Sequence, residues 1–381
     1  MRSVLILSTN YKPIRGGIAE HAYQMAKYFH KYGYKVIVLS EKKPGCSEFD
    51  KRQPFKTYRI PSFPTLQRIL LFLYLIIICK KEKIDFVYSV ITNPCAEIAF
   101  FGSFFCRYKN VVVVHGYEVS YDGEGLRGWL KRRSMFIRSY IYNRMDRVIA
   151  VSDYTRKKLI GSGVKPDKIC VVPNGIDLKQ WEGKDKDEAL IKKFDLYGKK
   201  VVLSVGWLVK RKNHETVIKA LNIVKARLPN VRYIIAGEGP YEGELKKAVK
   251  KEQLEDHVVF LGDYPQDRLN ILYNTCDLFV MPNTQVGSSV EGFGIVFLEA
   301  NACGKPVIAG RSGGAVDAVA DGETGFLVDP NDEKLLADKI IKLLEDDGLA
   351  KNMGQKGLKR VADKFTWDSV VSHMIVIFER L

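Results

Sequence analysis

The stretch "VVPNGIDLKQWEGKDKDEA", Val171 to Ala189, splits the chain into two halves that repeat one pattern. Pro-Asn-Gly is turn chemistry, and the charged residues after it have the composition of a surface connection. Before this stretch, β-branched runs at 4–7, 35–40, 85–90, 111–115 and 147–152 alternate with helical periodicity at 18–31, 66–82, 96–106, 127–144 and 153–161. After it the alternation restarts, with strands expected at 201–206, 232–237, 258–262, 278–282, 306–310 and 325–329. Strand alternating with helix predicts a parallel sheet, so the expected fold class is α/β, two Rossmann-like doubly wound domains facing a cleft. The expected divisions are 1–176, 177–365 and a C-terminal helix at 366–381, capped by Thr366 and packing back toward the N-terminal domain.

At 381 residues the chain is long enough for two cores, and its 46% hydrophobic and 27% charged content is that of an ordinary globular protein. The seven cysteines lack both metal spacing and a paired framework, which points to reduced thiols in a cytoplasmic protein. The opening "MRSVLILSTN" moves straight into a strand, so no export signal is expected. The most apolar run, Ile69 to Cys79, is too short to cross a bilayer and predicts a buried helix ended by Lys80 and Lys81. The net charge of +16 is uneven: residues 1–177 hold 30 Lys+Arg against 14 Asp+Glu, and the remainder holds 30 of each. Whatever the basic surface attracts, the N-terminal half meets it.

Open parallel sheets bind ligands at the C-terminal edges of their strands. Three segments fall there. Gly16 and Gly17 follow the first strand and precede a helix, whose N–H groups suit an anion. His115 ends the fourth run. In "VEGFGIVFLEANACGKPVIAG", Val290 to Gly310, Glu291 precedes a Gly292-Phe293-Gly294 loop that delivers a helix N-terminus. Glu299 then sits inside an apolar helical run, where a carboxylate needs a reason. Side chains lean toward the helix N-terminus, so Glu299 can face a bound group and accept two hydrogen bonds from a cis-diol such as ribose. A structural acid paired with an unseen Lys or Arg is the other reading, and the segment alone leaves both open.

The segment "EGFGIVFLEANACGKPVIAGRSGGAVDAVADGETGFLVDP" resembles the donor-binding region of the retaining glycosyltransferases of family 4, which have the GT-B fold. The likeness extends through "GGIAEHA" (16–22), "HGYE" (115–118), "VSDYTR" (151–156), "VVPNGID" (171–177), "SVGWLVKRKNHETVIKAL" (204–221), "AGEGP" (236–240) and "FTWDSV". It implies sugar transfer from a nucleotide-sugar, GDP-mannose or a UDP-sugar, with retention of configuration. By matching position, Glu299 holds the ribose and Glu291 lies beside the donor sugar. Phe293, Gly294 and Ile295 offer backbone N–H groups to its hydroxyls, and His115 faces the transferred sugar. Lys212, assisted by the Gly17 backbone, neutralises the diphosphate. The family commonly reads Gly-Arg-Leu where this chain has Gly206-Trp207-Leu208, so one phosphate-binding cation is missing. Lys210 and Arg211 are the candidates to replace it.

No metal and no cofactor are expected: "DKD" (185–187) lies in a charged connector. An oxidoreductase would need a G-x-G-x-x-G after the opening strand, and none is present. The basic half has no recognised nucleic-acid module. A sugar-nucleotide epimerase or hydrolase of the same fold is the nearer alternative. On the acceptor side, His21 and Glu118 are candidate contacts. Arg127, Lys131, Arg132, Arg133 and Arg138, with Trp129 and Phe136, suggest an anionic or lipid-linked acceptor and peripheral docking on the inner face of the cell membrane.

Overall fold

A computed structural model describes the chain except at residues 15, 64, 117, 119–124, 182–185 and 187, with backbone alone at 125–132 and 134. The chain forms two compact units, Met1–Gly175 with Trp367–Leu381, and Ile176–Thr366.

In the first unit the strands are β1 (Ser3–Leu7), β2 (Lys35–Glu41), β3 (Lys56–Ile60), β4 (Phe86–Ser89), β5 (Lys109–Val114), β6 (Arg147–Ala150) and β7 (Ile169–Val171). They pair in parallel in the order β3-β2-β1-β4-β5-β6-β7. β1 is buried throughout, as a strand covered by helices on both faces must be. Neither β3 nor β7 stands among the strands expected from the sequence. β3 is a half-exposed edge strand with polar residues in alternation, and β7 is three residues long, so neither produces a continuous apolar run.

The second unit holds β8 (Lys200–Val205), β9 (Val231–Ala236), β10 (Val258–Gly262), β11 (Leu278–Met281), β12 (Val307–Gly310) and β13 (Gly325–Val328). Their order is β10-β9-β8-β11-β12-β13, again parallel. In each sheet the strand order reverses beside the first strand, between β1 and β4 and between β8 and β11. Loops leaving such neighbours diverge to opposite sides and open a crevice at the carboxyl edge.

Two helices shape the first unit's surface. The Trp367–Glu379 helix buries Trp367, Val370, Val371, Met374, Ile377 and Phe378 within the unit. Phe378 stacks on Phe86 at 4.6 Å and meets Phe29 at 5.1 Å. The Gln67–Glu82 helix departs from expectation. It buries Leu71, Leu75, Ile78 and Cys79 against the sheet, but Ile69, Leu73 and Ile77 on its opposite face are exposed. An apolar run cannot reveal which of its faces the sheet will cover.

Among the described residues no helix is long and apolar enough to cross a membrane, no group of residues could hold a metal, and all seven thiols are free. The Phe378→Ala variant should lose about 3–5 kcal/mol of stability, the cost of emptying a packed aromatic site, read as a lower midpoint in urea denaturation.

Candidate functional site

The crevice beside β8 and β11 brings together three charged residues of the second unit. After β8, Gly206 takes φ +146° and the chain turns through Trp207 into a 3-10 turn, Lys210–Lys212. The turn points successive side chains in different directions. Arg211 and Lys212 point to one place, while Lys210 is exposed. Asn213 closes the turn in the left-handed region at φ +59° and donates from Nδ2 to the carbonyls of Pro282 at 3.0 Å and Pro330 at 2.7 Å. That ties the turn to the loops leaving β11 and β13.

Glu291 lies in the loop after β11. Its Oε2 accepts from Arg211 Nη1 at 2.6 Å and from Lys212 Nζ at 2.6 Å. Burial opposes ionisation of this carboxyl, but the charges and hydrogen bonds of Lys212 and Arg211 outweigh it and hold the pKa down at about 2. Two cations on one carboxylate leave one positive charge uncompensated. Trp207, where the family resemblance leads one to expect arginine, is 60% exposed. Of the two candidates to replace that arginine, Arg211 stands in the cluster and Lys210 does not.

The loop after Glu291 is held by close backbone approaches. Gly314 N donates to the Glu291 carbonyl at 2.8 Å, and a Cβ on Gly314 would lie 2.0 Å from the Gly292 carbonyl oxygen. Gly294, at φ +88°, precedes the Ile295–Ala302 helix, and a Cβ there would meet the Phe297 ring at 2.7 Å. The N–H groups of Phe293, Gly294 and Ile295 donate to no described residue. The Phe293 side chain is buried against Phe365, so only its backbone is on offer.

Glu299 stands on the second turn of that helix. Its Oε2 accepts from the Tyr273 hydroxyl at 2.8 Å, and among the described residues it forms no salt bridge. The partner of this acid is thus a tyrosine hydroxyl, where the structural reading named a Lys or Arg. Burial raises the Glu299 pKa to about 7, against the lowering effects of Tyr273 and Lys212. Tyr273 was not marked in the sequence: it lies in a short helix 26 residues earlier, and only the fold brings it to Glu299.

The first unit gathers a second, largely neutral cluster at its own carboxyl edge. His115 follows β5, and its Nε2 lies 2.9 Å from the Val90 carbonyl. A carbonyl only accepts, so Nε2 carries the proton, and Nδ1 is left as an acceptor without a described partner. Burial pushes the His115 pKa down to about 4. His21 meets His115 edge to face at 5.2 Å. Its own nitrogens are engaged, Nδ1 with Asn174 Oδ1 at 3.0 Å and Nε2 with the Tyr88 hydroxyl at 2.9 Å. Burial, then the neighbouring His115, lowers its pKa to about 3. His21, a candidate acceptor contact, is buried and bonded at both nitrogens, and its ring braces His115.

Glu118, the other candidate acceptor contact, is also turned inward. It is buried, and its Oε2 accepts from the His115 backbone N–H at 2.9 Å, which fixes the start of that loop. Burial raises its pKa to about 7. Gly16, at φ +135°, and Gly17 are exposed at the start of the Gly17–Lys31 helix, in the first unit and not in the unit that carries Lys212. Arg133 is exposed, whereas the side chains of Arg127, Lys131 and Arg132, and both aspartates of "DKD", lie outside the described residues.

Known proteins supply the family. The description "Glycosyltransferase Family 4" matches residues 15–180, and "Glycosyl transferases group 1" matches residues 186–360. The chain belongs to the family 4 glycosyltransferases. The glycosyltransferase is 29% identical, over 96% of its own length and 95% of the relative's, to the GDP-mannose-dependent alpha-(1-6)-phosphatidylinositol monomannoside mannosyltransferase of Mycolicibacterium smegmatis. It is 28% identical, over 96% and 95%, to the GDP-mannose-dependent monoacylated alpha-(1-6)-phosphatidylinositol monomannoside mannosyltransferase of Corynebacterium glutamicum. Its fold matches that of HepE from Anabaena, crystallised with UDP and glucose, at a TM-score of 0.81 over all of both chains and 22% identity. The fold is GT-B.

The raised pKa of Glu299 yields a prediction. A folded pKa near 7 means that the acid is largely protonated below neutrality, when it cannot offer a diol two acceptor oxygens. Nucleoside diphosphate affinity should therefore rise as pH increases through about 7. Glu299→Gln should bind more weakly at alkaline pH and lack this rise. Titration calorimetry across that range checks both.

Proposed function

We propose that this glycosyltransferase moves mannose from GDP-mannose, with retention of configuration and without a metal ion, onto an anionic lipid-linked acceptor at the cytoplasmic face of a membrane. The observation that carries the donor part is the pair of cations, Arg211 and Lys212, held on Glu291, in the unit that also carries Glu299 and three N–H groups that donate to no described residue. One surplus positive charge at the start of a helix suits a diphosphate. GDP-mannose is favoured because the Mycolicibacterium and Corynebacterium relatives use it, and their phosphatidylinositol mannoside acceptors fit the basic first unit.

In this reading the diphosphate draws Arg211 and Lys212 from Glu291, and Glu299 takes the ribose hydroxyls. As the bond from sugar C1 to the phosphate oxygen breaks, the two cations stabilise the negative charge that develops there. A well-placed donor of this kind is worth roughly 3 kcal/mol in a dry site. The acceptor oxygen bonds to C1 on the face the phosphate leaves, and its proton passes to the departing phosphate. Glu291, released from both cations, is then available to the sugar hydroxyls. His115 Nδ1 is an acceptor for a hydroxyl proton, since a neutral imidazole keeps that lone pair.

Arg211 thus replaces the arginine that Trp207 displaces. Thermal shift against a panel of nucleotide-sugars tests this, since a ligand at about 100 times its Kd adds about 2.7 kcal/mol of stability. GDP-mannose should give the largest shift, unchanged by EDTA. Arg211→Ala should weaken binding at least about tenfold, the cost of a lost charged hydrogen bond. Trp207→Arg in that background should recover part of it. Full affinity in Arg211→Ala, or a shift that needs added Mg²⁺ or Mn²⁺, would refute the assignment.

A further inference from the structure

The Gln67–Glu82 helix carries an apolar face that nothing described in this chain covers. Ile69, Leu73 and Ile77 recur every fourth residue, forming a ridge roughly 12 Å long at about 1.5 Å per residue. Beside it, Phe105 meets Phe72 edge to face at 5.7 Å, which joins Phe104 and Phe105 to the same surface. These five side chains are 49% to 69% exposed. Outward positions of a surface helix ordinarily carry polar groups, and a contiguous apolar patch on a protein surface marks a contact.

What borders the ridge identifies the contact. The helix ends in Lys80 and Lys81, followed by Lys83, and Lys80 and Lys83 line a hollow of about 320 Å³ together with Phe105 and Arg107. None of Lys80, Lys83 and Arg107 forms a salt bridge with a described residue. The acid in the hollow, Asp85, is already occupied by the Ser3 N–H at 2.7 Å and the Ser3 hydroxyl at 2.9 Å. Free cations beside exposed aliphatic and aromatic side chains match a bilayer interface, phosphates above and acyl chains below. A second copy would bring the same basic border and the same excess of charge, and would be repelled.

We propose that this face is where the enzyme docks on an anionic lipid bilayer: Ile69, Leu73, Ile77, Phe104 and Phe105 enter the interface, and Lys80, Lys83 and Arg107 hold lipid phosphates. The proposal rests on the membrane-bound acceptor proposed for this enzyme. It places the contact on the Gln67–Glu82 helix and adds an apolar component that salt does not screen.

Co-sedimentation with phosphatidylcholine vesicles, with and without phosphatidylglycerol, at low and high salt tests it. The wild type should pellet with the anionic vesicles and retain a bound fraction at high salt. Leu73→Gln with Ile77→Gln should lose that retained fraction and lower vesicle affinity about tenfold or more. Lys80→Gln with Arg107→Gln should lose the salt-sensitive part. Both double variants should keep wild-type affinity for GDP-mannose in solution, which separates docking from folding and from the donor site. Pelleting of the ridge variant like the wild type would overturn this assignment while leaving the membrane-bound acceptor intact. A wild type that ignores anionic vesicles at low salt overturns both. A dimer in sedimentation velocity that the ridge variant dissolves would overturn the lipid assignment and show that a second copy covers the face.

Discussion

One carboxylate shared by two cations organises the candidate donor site of this enzyme. Three charged groups meet where β8 and β11 diverge, and their sum is one positive charge. Arg211 and Lys212 could not stand side by side at low exposure without an anion, since an unpaired buried charge is among the costliest features a fold can carry. Glu291 supplies that anion when no substrate is present. It also keeps both cations where an incoming diphosphate would need them, so little rearrangement precedes binding. The backbone around it follows from the same requirement. Asn213 ties the cationic turn to two loops, and Gly313 and Gly314 let the Glu291 loop pack without the clash that any Cβ would cause.

Much of this was legible in the sequence because parallel strands covered on both faces read as unbroken apolar runs. That is why β1, β8 and β11 were found, while the half-exposed β3 and the three-residue β7 were not. Glu299 was conspicuous as an acid in an apolar helix, and its hydrogen bond to Tyr273 is what the fold added. Residues whose role depends on remote partners were read less well. His21 and Glu118 looked like acceptor contacts, because a polar residue near a motif resembles a ligand until its hydrogen bonds are known. In the fold both hold His115, one through its ring and one through its backbone N–H. Tyr273 gave no signal. The Gln67–Glu82 helix was read as buried throughout, since hydrophobicity reports an affinity for apolar surroundings without saying whether protein or lipid provides them.

The two units divide the chemistry by charge. The first unit carries the basic excess, a neutral histidine cluster and an uncovered apolar face. The second is electrically balanced in composition but concentrates two cations at one point. Trp207 fits this division under the proposed function, in which Arg211, further along the turn, supplies the charge of the arginine that the family resemblance leads one to expect there.

In the proposed function, donor binding is an exchange in which Arg211 and Lys212 leave Glu291 for the diphosphate. A crystal structure of the enzyme with GDP would show that exchange or its absence. Arg211 Nη1 and Lys212 Nζ should lie within hydrogen-bond distance of phosphate oxygens, with both ribose hydroxyls on Glu299. A bound GDP whose phosphates lie elsewhere, with both cations still on Glu291, would contradict it.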